Sequence, residues 1–169
     1  LFPSPPLFRS AVMAIAFVAA KMRPLLAAYR DAWRAAGHPG SGEVMIAFHM
    51  FCDPDGERAR RIAAPLIDNY LHSLVDAASD WLDGRVSQDY PGYDRIIAGL
   101  RASNAADQMA AGAAWVGTPD EIARTIATMQ ADFGGFEHAS LQVNFNLMPF
   151  AEAMASMRLF AHEVMPRFA

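Results

Sequence analysis

The side chains in this sequence that could do chemistry lie on or beside two short apolar runs. Glu43 to Phe51 (EVMIAFHMF) is bounded by turn residues and reads as a strand. Val44, Ile46, Phe48 and Met50 share one face, and Met45, Ala47, His49 and Phe51 the other. Ala139 to Phe145 reads as a second strand, with Ala139, Leu141, Val143 and Phe145 on one face and Ser140, Gln142 and Asn144 on the other. The uniformly apolar faces should lie against helices. The mixed faces, with His49 on one strand and Ser140, Gln142 and Asn144 on the other, should turn to a barrel interior. Amides there need partners, which are each other, water or a ligand. Two readings stay open: a pocket that fixes a polar ligand, or polar residues satisfied by their neighbours.

Other reactive types offer less. Cys52 beside Asp53 has no base near it in sequence and needs no role beyond that of a small buried thiol. His38, His72, His138 and His162 fall in turns or on helix surfaces without ligand spacing, so no metal site is expected. No phosphate-binding glycine loop, dinucleotide fingerprint or nucleophile elbow occurs. Thr118 heads a helix whose free N–H groups could hold an anion, but its own side chain is placed to cap that helix.

The elements that must position these residues alternate. Pro24 opens a helix carrying Leu25, Leu26, Tyr29 and Trp33, which stops at Gly37-His38-Pro39-Gly40. Asp53-Pro54-Asp55-Gly56 is a turn and cap, and a long helix runs from Glu57 to about Ala78, with a kink or break expected at Pro65. Asp80 to Pro91 is a polar loop of a length that is often functional. Short helices follow at 93–100 and 105–112, then a strand at 113–117. Thr118-Pro119-Asp120-Glu121 is a capping box with proline at the first helical position, and the helix it opens carries Ile122, Ile126, Met129 and Phe133 before Gly134-Gly135. A last helix is striped by Met154, Met157, Phe160, Ala161 and Val164. Helices after each strand define an α/β fold with parallel strands. Three strands leave two open edges, and a (β/α)8 barrel takes roughly 250 residues. The expected architecture is therefore the C-terminal portion of a (β/α)8 TIM barrel.

Composition narrows the class. With 169 residues, 53% hydrophobic and 19% charged, the chain has enough apolar content for one core and is not a disordered polymer. A net charge of −4 argues against nucleic acid as a partner. One cysteine forbids an internal disulfide and fits a reducing, cytoplasmic setting. The apolar run Ala11 to Ala20 is too short to span a bilayer, and the prolines before it make a poor signal-peptide start, so no membrane partner is expected. A start without Met and open sheet edges lead to the expectation that the sequence begins inside a longer protein.

Trp115 to Gln130 (WVGTPDEIARTIATMQ), Gly135, Ala139 to Asn146, Ala155 to Phe160 (ASMRLF) and Val164-Met165-Pro166 together resemble the C-terminal end of the bacterial luciferase-like monooxygenase family. Tyr29 to Trp33, Gly37-His38-Pro39 and Ala47 to Phe51 are also similar to its members. The resemblance divides the chain into a poorly matched segment, 1–23, and the C-terminal part of a luciferase-like barrel domain, 24–169. It implies a barrel that binds reduced FMN, or a deazaflavin in some branches, at its carboxyl mouth. The implied reaction activates O2 at the flavin and inserts one oxygen atom into a small organic substrate. A separate flavin reductase and a homodimer are the implied partners. Trp115, Gly117 and Thr118 match the family's strand-end motif on the flavin side, and Gln142 and Asn144 match its last strand. These five are the cofactor-binding candidates, and His49 is the substrate-pocket candidate. The family's best-known catalytic histidine and most flavin-phosphate contacts lie in a barrel half without counterpart here. No catalytic residue is therefore assigned, and this chain alone is expected to be inactive. The alternatives are a deazaflavin-dependent hydride-transfer oxidoreductase and a non-catalytic barrel partner subunit.

Overall fold

The computed structural model describes residues 11–16, 19–81 and 91–168. In chain order the elements are β1 (Val12–Ile15), α1 (Ala19–Ala35), β2 (Val44–Cys52), α2 (Gly56–Ala77), α3 (Tyr93–Arg101), α4 (Ala105–Ala110), β3 (Ala114–Gly117), α5 (Pro119–Phe133), β4 (His138–Gln142) and α6 (Phe150–Glu163), with 3-10 turns at Ser79–Trp81 and Met165–Phe168. Every strand pairing is parallel. The chain is thus α/β with a parallel sheet, a partial barrel.

β2 is the centre of that sheet. β1 pairs with its first half, Val12 opposite Val44 through Ile15 opposite Ala47. β3 pairs with its second half, His49 opposite Ala114 through Cys52 opposite Gly117. β4 also pairs with β2, Met45 opposite His138 through His49 opposite Gln142, and not with β3, its predecessor in sequence. β1 is absent from the sequence reading. A four-residue strand inside a longer apolar run has no period of its own, and its register with β2 is a long-range fact. Most of the loop read at 80–91 and all of the N-terminal prolines lie outside the described residues.

Both faces of β2 are buried in its C-terminal half, whereas Met45 and Ala47 in the N-terminal half are partly exposed. Val44, Ile46, Phe48, Met50 and Cys52 pack with Leu26 of α1, the Ile122–Ile126–Met129–Phe133 stripe of α5 and Phe160 of α6. On the opposite face Phe51 joins Ala59, Ala63, Ile67, Leu71 and Val75 of α2, with Ile97 and Leu100 of α3. The mixed face was expected to line a barrel interior. In this chain the C-terminal half of that face is instead covered by α2, whose Ala59 and Ala63 are fully buried in the same cluster as Phe51.

The helices follow their local signals with three departures. α5 has the expected cap: Thr118 Oγ1 accepts from Glu121 N at 3.3 Å, and the Glu121 carboxylate accepts from Thr118 N at 2.7 Å. It ends at Gly134, in the left-handed conformation at φ 67°. α1 starts at Ala19 rather than Pro24. α2 runs unbroken through Pro65, because tertiary packing of its buried stripe outweighs one missing backbone hydrogen bond. α6 starts four residues earlier than the apolar stripe suggested, at Phe150.

Candidate functional site

Parallel sheets keep their chemistry at the carboxyl ends of the strands. Here the ends of β2 and β3 are joined by a backbone bond from Asp53 N to Gly117 O, 3.1 Å. Around that junction the polar groups are engaged with one another. Asp55 caps α2, its carboxylate accepting from Glu57 N at 2.9 Å and Arg58 N at 3.1 Å. The Arg58 backbone N–H is the main cause holding the Asp55 carboxyl below the usual range. The Arg58 guanidinium donates to Asp53 and, at 2.6 Å, to Glu152 on α6. Arg60 donates to Glu121 at 3.2 Å. Ser156 of α6 is buried, and its Oγ accepts from Cys52 N at 2.7 Å. The Thr118 backbone N–H is the largest influence keeping the Glu121 carboxyl ionised.

The sequence reading found the caps at Asp55 and Thr118 but not the links from Arg58 to Glu152 or from Cys52 to Ser156. Those partners are separated by 94 and 104 residues, and no local signal marks them. Cys52 itself is inert: burial first, then the Asp53 and Glu163 charges, push its thiol up to about 11. Among the described residues no group of three or more His, Cys, Asp or Glu side chains is arranged to hold a metal ion.

The six candidates from the sequence do not converge. His49 is buried, with ring contacts to Tyr70 at 4.8 Å and Phe145 at 5.0 Å. Burial lowers its pKa to about 4, so it is neutral at pH 7. Its register opposite Gln142, with Ala47 opposite Ser140, places Ser140 and Gln142 on the His49 face of the sheet. Leu141 and Val143 pack on the other face, against the α5–α6 core. Phe145 departs from the expected alternation and packs with α2, because β4 ends at Gln142 and Asn146 and Leu147 turn the chain at φ 44° and 64°. Asn144 is exposed in that loop.

Trp115 pairs with Met50 and therefore lies on the face opposite His49. It is 1% exposed, stacked on Phe48 at 4.2 Å, and its Nε1 donates to Gly112 O at 3.1 Å. It borders a cavity of about 370 Å³ with Ile126, Phe136, Leu141, Phe160 and Met165. The sheet therefore stands between the Trp115 and His49 side chains. Gly117 (φ 151°) and Thr118 sit at the α5 cap, and a Cβ on Gly117 would stand 2.5 Å from Glu121 Oε2. A flavin does not fit these residues as one binding surface in this chain.

A partial barrel of parallel strands, each feeding a helix, is the class that this geometry defines. A family model described as luciferase-like monooxygenase matches residues 10–135, more than half of the chain, and the chain belongs to that family. It is similar to the monooxygenase RslO1 from Streptomyces bottropensis, with 30% identity and a TM-score of 0.64 over 95% of this chain and 43% of that one. It is also similar in fold to the oxygenating constituent of 3,6-diketocamphane monooxygenase from Pseudomonas putida, a type II Baeyer–Villiger monooxygenase solved in complex with FMN. There the identity is 16% and the TM-score 0.65, over 96% of this chain and 43% of that one. For EDTA monooxygenase from Chelativorans sp. BNC1 the values are 18% and 0.56, over 93% and 41%. The chain spans less than half the length of each of these structures. No curated protein sequence matches it.

Proposed function

We propose that this chain is part of a flavin-dependent monooxygenase that inserts one oxygen atom from O2 into a small organic substrate, using reduced FMN supplied by a separate reductase. The observation that carries the reading is membership of the luciferase-like family over residues 10–135. The 30% identity to RslO1 over nearly the whole chain supports the same direction. Because the chain spans less than half of such proteins, the activity is proposed for the whole protein that contains it, cytoplasmic and dimeric in this reading. When bound, the flavin supplies the oxygen chemistry. The chain's own share is packing: α5 and α6 bury one face of β2, and α2 with Tyr70 shields the neutral imidazole of His49 on the other. Gln142 and Asn144 are the exposed polar side chains at the end of β4, available to a ligand edge as both donor and acceptor.

The test reconstitutes the whole protein with reduced FMN or with a reduced deazaflavin under 18O2. Incorporation of one labelled oxygen into product with FMN is the expected result. Turnover with the deazaflavin alone and no label would replace this reading by hydride transfer. No flavin binding at all would leave a non-catalytic barrel subunit. In the same protein, Asn144→Ala or Gln142→Ala should weaken flavin or substrate binding by a few-fold to about tenfold, the worth of one neutral hydrogen bond. Unchanged binding in both variants would remove them from the site.

A further inference from the structure

The cavity of about 370 Å³ bordered by Trp115 opens on the sheet face opposite His49, Ser140 and Gln142. We infer that it is a second binding site, one that takes a neutral, flat, apolar molecule of about two fused rings. Four aromatic side chains stand in its wall, Trp115, Phe136, Phe160 and Phe168, with Ala139 and Leu141 from β4. The inner wall is preformed. Trp115 is stacked on Phe48, and its one polar atom already donates to Gly112 O. Aromatic walls favour an aromatic occupant, because rings meet edge-to-face or offset at a gain beyond the area they bury.

The polar groups of the cavity select against charge. The Gln130 amide is closed on Phe136, with Nε2 donating to its O at 2.9 Å and Oε1 accepting from its N at 3.0 Å. The Glu137 carboxylate accepts from Val44 N at 2.7 Å and from Arg30 at 3.0 and 3.2 Å. Among the described residues that line the cavity there is no cation. An anion, a flavin phosphate included, would lose its hydration beside a carboxylate with nothing to replace it. A cation would find that carboxylate already neutralised by Arg30. Size narrows the class further. An apolar cavity of about 150 Å³ holds benzene, and small-molecule pockets run from about 300 to 1,000 Å³. A docked helix would instead need a groove long enough for anchors spaced over two turns. The outer wall is the Met165–Phe168 turn, whose Met165 and Phe168 are half-exposed at the rim. Arg167 ties this turn to α5 through Asp120 at 2.7 Å. That exposed ion pair makes it the wall most easily displaced for entry.

The experiment titrates naphthalene into the whole protein, labelled at its methyl groups for NMR. The methyl signals of Ile126, Leu141 and Met165 and the indole N–H of Trp115 should shift saturably. Naphthalene-2-sulfonate, the same rings with an anion attached, should bind at least about tenfold more weakly. Ala139 is exposed, so Ala139→Leu fills the cavity from β4 without disturbing the core, and it should weaken naphthalene binding by about tenfold or more. Arg167→Met, which frees the outer wall, should weaken it by about two- to fivefold. Neither variant should change the affinity for reduced FMN. Three results would each overturn the inference: no saturable shift in wild type, equal binding of the sulfonate, or wild-type affinity in Ala139→Leu. Contacts to Ile126 and Leu141 from a second copy or from another segment of the protein, in place of naphthalene, would overturn it as well. If naphthalene binds and no flavin does, the monooxygenase reading falls while this site stands.

Discussion

His49 shows how burial decides what a side chain can do. Enclosed by Tyr70 and Phe145, the imidazole is held neutral, with a pKa lowered from 6.5 to about 4. The unfolded chain takes up this proton first as pH falls. The contribution of neutral His49 to stability is therefore complete above pH 6.5 and is lost as pH drops toward 4, at a limit of roughly 1.4 kcal/mol per pH unit. Denaturant unfolding of wild type should lose stability over that window more steeply than His49→Leu. Parallel slopes would show that the imidazole has no proton linkage to folding. Gly117 makes a different demand, a φ of 151° with the Glu121 carboxylate occupying the space a Cβ would need. Gly117→Ala should cost about 1–3 kcal/mol through backbone strain and displacement of Glu121, read as a fall in the urea midpoint. A midpoint unchanged from wild type would mean that the β3–α5 turn relaxes freely.

At the scale of the element, what was legible in the sequence was what is local. The α5 cap spans Thr118 to Glu121, four consecutive residues, and both reciprocal bonds form. That Ser140 and Gln142 share one face of their strand, and that His49 shares one face of its own with Met45, Ala47 and Phe51, was legible because strand alternation has a fixed period of two, whereas the register that sets these two faces side by side is long-range. The face that Trp115 occupies was not legible, for the complementary reason. Alternation gives the faces within a strand, whereas the register of β3 against β2 puts the indole with Met50, and no sequence period encodes that register. β1, the β4–β2 pairing and the Arg58–Glu152 link are likewise products of tertiary closure. The reciprocal cap yields a quantitative expectation. Thr118→Ala and Glu121→Ala should each cost about 0.5–2 kcal/mol, and the double variant should cost less than their sum, because each partner's bond supports the other. Strict additivity in a double-mutant cycle would show that the two bonds act independently.

For the whole molecule, the distribution of apolar surface matters more than any single contact. Met13 and Ile15 on β1 are 69% and 52% exposed, on the same face of the sheet as Met45 and Ala47. At the carboxyl end, Leu147 and Phe150 are 90% and 80% exposed, Leu147 in a left-handed conformation that a leucine adopts at a cost of about 1–2 kcal/mol. Among the described residues β1 and β4 each pair with β2 alone, so each carries an edge of backbone groups without a strand beside it. The chain spans less than half the length of the solved structures it resembles. No described helix is long and apolar enough to cross a membrane, so a bilayer-spanning helix does not account for these side chains. The 169 residues expressed alone should therefore bind a hydrophobic dye and associate with increasing concentration. Replacing the two β1 residues, Met13→Glu with Ile15→Lys, should reduce dye fluorescence by about half or more, since a charged edge opposes both dye contact and strand pairing. The checks are dye titration and sedimentation velocity on the wild-type and doubly substituted chains. A monomeric wild-type chain that unfolds in one cooperative transition and binds no dye would show that these surfaces are satisfied within the 169 residues. The parallel sheet would then be a self-sufficient fold rather than one wall of a larger barrel.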